Sequence, residues 1–425
     1  MAGIRVLGKE YRMKFAQLLV MAVLMAGVVL GQAEPDAAGG DWPNWRGPNY
    51  DGISRETGWS VWPPTGAEIL WRASVGTGFS SLTISQNRLY TMGNTSDTDT
   101  IYCLDAGTGQ PLWEHSYPSA LQANLYEGGP NATPTVAGPY VYTLGKHGDV
   151  FCLDKASGKV IWQRNVKKET DAKANDWGFA GSPLVYEDMV IVNVGTAGTA
   201  LNKTDGAILW TTGKEPAGYT SAVPYSLNNQ NCIAIVGGEA AYGLEAKTGK
   251  ILWEFPWKTS YKINAADLII NQDLVFISSG YNKGCALFRI ADNKPAAVWD
   301  NKEMRNQFSS SVLWQEHIYG FDGNTGKNVP LRCLELATGK EKWTQEVEGM
   351  GSLTASDGKL IYMTQAGELV IAAANPQGYE ELGRAAVLSG KCWTVPVLAG
   401  GRIYARNAAG DVVCVNVKGK AEGGK

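Results

Sequence analysis

The chain has 425 residues, with 41 acidic against 38 basic side chains, so no basic excess is present to grip nucleic acid. Its 51 glycines suit a fold with many tight turns, and helical periodicity is scarce beyond the N-terminus, which argues against a helical solenoid. In chain order, Arg12 and Lys14 precede an apolar run from Phe15 to Leu30, and Gly31-Gln32-Ala33 supplies small residues for cleavage. That run is interrupted by Gln17 and is shorter than the roughly 20 residues a spanning helix needs. Residues 1–33 therefore read as a secretory signal peptide, with Met13 as an alternative start. No Cys follows the run, which disfavours lipid anchoring. Residues 34–66 carry Trp42, Trp45, Trp59, Trp62 and several prolines, and read as a strap packed on the domain that follows.

From Trp71 onward one short pattern recurs, closing on Trp113, Trp162, Trp210, Trp253, Trp299 and Trp343 at intervals of 42 to 49 residues. The clearest copies are Cys103-Leu104-Asp105 with Gly109 and Trp113, Cys152-Leu153-Asp154 with Gly158 and Trp162, and Cys333-Leu334-Glu335 with Gly339 and Trp343. The acid can accept a backbone N–H two residues on, and the glycine supplies the positive φ that ends the turn. The small residue before each acid (Cys103, Cys152, Ala200, Gly243, Cys333) implies a crowded place under the repeat's own Trp. Two alternating segments precede each motif, as in Leu184 to Val192, so one repeat makes a four-stranded blade. Blade 5 has Pro295 where glycine should stand, and blade 7 has Ala374, Gly378 and Leu382 at the acid, glycine and Trp places. The last blade lacks a Trp strand, and Ile69 to Ala73 supplies it. The expected fold is all-β: an eight-bladed propeller of four-stranded antiparallel blades over residues 67–417, its ring closed by the N-terminal strand, with a disordered tail at 418–425.

These residues carry a family resemblance. Leu-Asp-x-x-Thr-Gly-x-x-x-Trp resembles the tryptophan-docking motif of quinoprotein-type propellers. The opening Trp42-Pro43-Asn44-Trp45-Arg46-Gly47-Pro48 is similar to the leader of exported bacterial PQQ-like repeat propellers, a group holding dehydrogenases, an outer-membrane assembly lipoprotein and members of unknown role. The resemblance implies that each Trp docks on the turn of the adjacent blade. Its dehydrogenases hold pyrroloquinoline quinone above a Trp, with Ca²⁺ on carboxylate and amide ligands, an Asp base and often a disulfide between adjacent cysteines. No adjacent Cys pair occurs here.

Four of the seven cysteines, Cys103, Cys152, Cys333 and Cys414, hold one equivalent blade position, and symmetry spreads most of them beyond the roughly 6 Å between Cα atoms that a disulfide spans. Buried free thiols are expected. His115, His147 and His317 fall in different blades and read as surface residues, and no metal site is expected. Asp97-Thr98-Asp99 reads as a solvated loop. No G-x-S-x-G or H-E-x-x-H motif occurs, so no catalytic residue is assigned, and Asp176 and Asp267 are only weak candidates for a base.

Eight loops entering the inner strands should converge on one mouth of the central channel. They would bring Phe79, Asn131, Trp177, Phe179, Tyr219, Tyr261, Asn264, Phe308 and Trp393 into one funnel, whose aromatic and amide lining suits sugars, peptides or flat ligands. The function expected is a non-enzymatic binding or scaffold module of the cell envelope, periplasmic or secreted, without a cofactor. It would be monomeric, with a protein or glycan partner, no nucleic acid and no stable membrane span after cleavage. The alternative is a quinone-dependent alcohol dehydrogenase using pyrroloquinoline quinone and Ca²⁺ in the funnel.

Overall fold

The computed structural model describes residues 40–124, 126–323 and 329–419; the signal-peptide segment and residues 420–425 of the tail lie outside them. Blade 1 is formed by strands Thr83–Ser85, Arg88–Thr95, Thr98–Asp105 and Pro111–Pro118, each antiparallel to the next. Six further sheets repeat that plan at 135–165, 184–211, 223–256, 269–301, 312–345 and 351–386. Blade 8 takes three strands from 397–416 and its outermost strand from Ile69–Ser74, which lies antiparallel to Asp411–Asn416 with Trp71 opposite Cys414. The four-stranded blades and the N-terminal closure are thus as the repeat predicts. A propeller leaves only short outer edges open to pairing with another chain.

The repeat motif works as its chemistry requires. Asp105 Oδ1 accepts the Gly107 and Thr108 N–H groups at 2.9 and 2.8 Å, which folds the turn. Gly109 follows at φ 74°, and a Cβ there would stand 2.6 Å from the Trp71 ring of blade 8. Each ring therefore lies flat on the next blade's turn, and its indole N–H donates to a carbonyl there. Trp71 bonds Ala106 O, Trp113 bonds Lys155 O and Trp162 bonds Lys203 O, each at 3.0 Å. Within a blade the small residue faces the repeat's own Trp: a Cβ on Gly243 would meet Trp253 Nε1 at 1.9 Å.

Two seams depart from the rule, each where the motif is degraded. Blade 5 replaces the docking turn by a two-residue hairpin, Asp292-Asn293, both at positive φ. Trp253 then has no turn to cover, and its indole bonds Tyr225 OH at 2.7 Å while its ring meets Phe288 edge-on. In blade 7, Leu382 stands in the Trp place and is exposed. The leader makes good the loss. Trp59 is buried in the cluster of blades 7 and 8 and donates to Ser356 Oγ at 3.1 Å, and Trp62 lies against Gly383 beside Leu382.

All seven cysteines are free and buried. Cys103, Cys152, Cys333 and Cys414 each lie opposite a tyrosine on the neighbouring strand, Tyr90, Tyr142, Tyr319 and Tyr404. Burial pushes Cys103 and Cys333 up to about 11 and Cys152, Cys285, Cys392 and Cys414 up to about 12. Thiolate is the reactive form. The folded chain should therefore leave a thiol-reactive dye unreduced at pH 8 and release the signal of all seven thiols only on denaturation. A thiol that reacts early would mark a seam that opens locally.

Candidate functional site

The inner strands are only three residues long in most blades, so what occupies the channel is decided by the loops that enter them and the turns that leave them. At the turn end lies the leader. Asp41 caps the blade 1 turn through Gln86 N–H, Trp42 forms a bridge with Ile84, and Pro43 O accepts from Val136 N–H of blade 2. The chain then crosses the mouth. The Trp45 indole donates to the Asp267 carboxylate of blade 5, and Arg46 Nη2 donates to Ser311 O of blade 6 at 2.8 Å and to Asp51 O at 3.0 Å. Tyr50 packs on the cluster of blades 3 and 4, Ile53–Ser54 pairs in parallel with Gly351–Ser356 of blade 7, and Glu56 caps the Gly400-Gly401 turn of blade 8. This end of the channel is thereby closed by the chain itself.

One level further in, a run of hydrogen bonds ties blades 1 to 6 in succession. Ser81 N–H donates to Thr133 Oγ1, Thr133 N–H to Ser182 Oγ, and Ser182 N–H to Ser221 Oγ, at 2.8 to 2.9 Å. Ser221 N–H donates to Asp267 Oδ1 at 2.7 Å, and Asp267 N–H to Ser310 Oγ at 2.9 Å. Asp267 thus takes a position that hydroxyl residues fill in the other blades, and its second oxygen holds Trp45. Burial raises its pKa above the usual carboxylate range, opposed by the Arg46 guanidinium and then by Trp45, Ser221 and Ser310. A raised folded value means that the native state takes up a proton before the unfolded chain does. The contribution of Asp267 to stability therefore grows as pH falls from neutrality through the folded value, and levels off below the ordinary 3.8. Melting temperatures of the native chain and of Asp267→Asn, compared between pH 7 and 4, should converge toward acid pH, with the variant the less pH-dependent.

At the loop end the sequence-predicted residues separate into two groups. Phe79 stacks on Trp393 at 5.4 Å between centroids, Trp393 meets Phe308 at 4.9 Å, and Tyr126 meets Phe79 at 5.6 Å. Asn131 Nδ2 donates to Tyr126 OH at 3.2 Å, and Trp177 meets Tyr219 edge-on at 6.2 Å. These rings make an arc of half-exposed aromatics around the mouth, with Phe308 36 % exposed. Tyr261, 74 % exposed, packs against Tyr281 in blade 5. Phe179 and Asn264 are corrections to the expected funnel. Phe179 is 1 % exposed within the core of blades 2 and 3. The Asn264 amide donates to Gly237 O and Gly238 O at 3.0 and 3.2 Å and accepts from Ser279 Oγ at 3.0 Å. Periodicity placed both at the right height, but the side chains turn into the wall.

Two charged features were not legible from spacing. Asp99, expected in a solvated loop, is fully buried and paired with Lys146 Nζ at 3.3 Å, both side chains at 0 % exposure. The acid and its lysine belong to different blades, so no local pattern announces them. Arg406 is also fully buried, and its guanidinium donates across the ring-closing seam to Ser80 O, Met92 O and Gly76 O at 3.0, 2.7 and 3.0 Å. Desolvation lowers its pKa to about 10.

A calcium-bound quinone asks for free carboxylate and amide oxygens around one point. Asp267 and Asn264 have their oxygens engaged within the protein, and Asp176 is exposed, its carbonyl accepting from Gln122 at 2.6 Å. Among the described residues no group of three or more His, Cys, Asp or Glu side chains could hold a metal ion. His147 and His317 bond nearby carbonyls of Ala120 and Gln315. That donor set does not fit the cation and its quinone.

Among curated proteins none matches the chain. A family model described as outer membrane protein assembly factor BamB matches residues 60–129, 122–345 and 327–421. Among solved structures, BamB from Moraxella catarrhalis superposes with a TM-score of 0.62 at 13% identity, covering 82% of this chain and 99% of that one. The quinohemoprotein alcohol dehydrogenase from Comamonas testosteroni superposes with a TM-score of 0.67 at 14% identity, over 91% of this chain and 82% of its own. A europium-containing methanol dehydrogenase gives 0.62 at 12% identity, over 86% and 89%. At these identities the likeness is one of fold, and the fold serves both an assembly factor and dehydrogenases.

Proposed function

The chain belongs to the PQQ-like β-propeller family whose model is described as outer membrane protein assembly factor BamB, and from that premise we propose that it is a non-enzymatic binding or scaffold module of the cell envelope. The aromatic arc at the loop end of the channel is its binding face. The observation that carries this reading is the engagement of Asp267: the carboxylate best placed to serve as a base is spent on Ser221 N–H and the leader's Trp45. With the turn end closed by the leader, the loop end is the mouth left to a partner. Rings that are half-exposed and backed by a rigid ring of blades suit recognition, because their ordering cost is already met before binding.

The test pairs two measurements on the full chain. A photo-crosslinking residue at Phe308, used in intact cells, should give one discrete adduct, and the same residue at Gly378, on an exposed blade 7 turn, should not. Calorimetric titration with pyrroloquinoline quinone and Ca²⁺ should give no saturable heat, and dye reduction with simple alcohols no turnover. Tight quinone binding with turnover would replace this reading by a dehydrogenase.

A further inference from the structure

Two of the seams between blades are filled by the side chain two places beyond the repeat's Trp. In blade 1 this is His115, which meets Phe151 of blade 2 edge-on at 5.2 Å between centroids. In blade 4 it is Phe255, which stacks on Phe288 of blade 5 at 4.1 Å with 10° between the planes. In blade 8 the same place, two beyond Trp71, is held by Ala73. Across that ring-closing seam stand Tyr102 and Leu104 of blade 1. They are the counterparts of Phe151 and Phe288, lying one before and one after the residue that faces their blade's own Trp. A methyl group therefore stands where a ring fills those other two seams. The result is a cleft of about 230 Å³, lined by Ala73, Tyr102 and Leu104 and by the charged Arg72 and Glu114.

Small-molecule pockets run to roughly 300–1,000 Å³, so this cleft has room for one side chain and little more. We propose that it receives an aromatic side chain from an extended segment of a partner protein, completing at the ring-closing seam the ring contact that His115 and Phe255 complete from within. What fills the same place in the other two seams names the occupant: a ring set against a ring of the next blade. Tyr102 supplies that ring here, beside Leu104, and an aromatic pair adds its own attraction to the burial of apolar surface. Charge decides what flanks the incoming ring. Arg72 and Glu114 come from two different blades and are exposed, and among the described residues neither forms an ion pair. They offer a cation and an anion to the same ligand, which suits a peptide carrying an acid and a base beside its ring. The site is separate from the aromatic arc at the loop end. It exists only where Ile69–Ser74 has joined blade 8, so a partner bound here reads a closed ring.

Fluorescence anisotropy on the full chain would use two labelled peptides as probes, Ser-Asp-Ala-Trp-Ala-Lys-Ser and Ser-Lys-Ala-Trp-Ala-Asp-Ser, with forms carrying Leu or Ala in place of Trp for comparison. In an extended peptide the acid and the base fall on the same side as the ring. Saturable binding of the Trp peptide in one of its two charge orders is expected, about tenfold or more tighter than the Ala form. Ala73→Phe puts a ring in the cleft from within, so it should abolish binding and raise the melting temperature. Arg72→Glu combined with Glu114→Arg changes only exposed side chains and should transfer the preference to the other charge order, a readout that does not depend on how a ring packs at position 73. Binding of neither Trp peptide, equal binding of the Ala or Leu forms, binding that survives Ala73→Phe, or a charge order that the exchange does not reverse would overturn the proposal. Binding that Phe308→Ala removes would place the peptide on the loop-end arc and overturn it too. Self-association of the chain that Ala73→Phe abolishes would give the cleft to a second copy instead of a partner.

Discussion

Replacing Lys146 by methionine should lower the unfolding free energy by about 3–5 kcal/mol, the usual cost of leaving one member of a buried ion pair alone. Lys146 and Asp99 are both fully buried, and no water reaches the carboxylate to take over from the ammonium. Burial lowers the pKa of Lys146, and Asp99 opposes that shift, so the pair is a compromise between desolvation and attraction. Asn94 Nδ2 also donates to Asp99 Oδ1 at 2.6 Å, and to Ser119 O at 2.8 Å, which anchors the strand end to the loop that follows blade 1. The measurement is a shift in urea midpoint. Asp99→Asn in the same chain should recover most of the loss, because the surviving buried charge is what costs. A loss under about 1 kcal/mol, the range of exposed pairs, would mean that solvent reaches the site.

The second large effect concerns the seams. Trp162→Ala should cost about 3–5 kcal/mol, the range for truncating a buried large aromatic side chain. It would also leave the Lys203 carbonyl with the Tyr142 hydroxyl in place of the two donors it now shares. Gly206→Ala approaches the same contact from the other side, since its Cβ would stand 2.7 Å from the Trp162 ring at a φ of 72°. Once the ring is gone the added methyl has room, and only the left-handed backbone cost of roughly 1–2 kcal/mol remains. The double variant should therefore lose less than the sum of the two single ones, a coupling that a thermodynamic cycle measures directly. Additive losses would mean that Trp162 does not rest on that turn.

The architecture was legible because each blade repeats its own local rule: an acid, a glycine with positive φ and a tryptophan at fixed spacing report contacts within one blade and to the next. Where the rule lapses at Pro295 and Leu382, spacing marked the lapse but not its repair. The repair follows no repeat: Tyr225 of its own blade and Phe288 of the next hold Trp253 in one case, and Trp59, 297 positions from its partner Ser356, fills the other. The site was legible in the same partial way. Loop position placed Phe79, Phe308 and Trp393 at one mouth, but it could not say that Phe179 and Asn264 turn inward. Rotation about one loop bond separates wall from channel, and no periodicity encodes it. Asp267 was picked out as an acid near the axis, yet its partner Trp45 lies 222 positions earlier. The Lys146–Asp99 pair escaped notice because it joins two blades and follows no repeat.

The last blade also has a consequence for the order of events during synthesis. Its outermost strand, Ile69–Ser74, is made before the seven other blades, but the strand it must join, Asp411–Asn416, is made after them, and Asn416 bonds Glu68 across 348 positions of sequence. Seven blades can assemble from neighbours in sequence as they emerge, at low cost in loop closure. The eighth cannot. Its first strand must wait unpaired until Asp411–Asn416 has been made, and a chain cut short anywhere before Asp411 leaves that strand without its partner. Closing the ring is thus a check that all eight blades have been made: Trp71 finds its place opposite Cys414 only once the eighth is there.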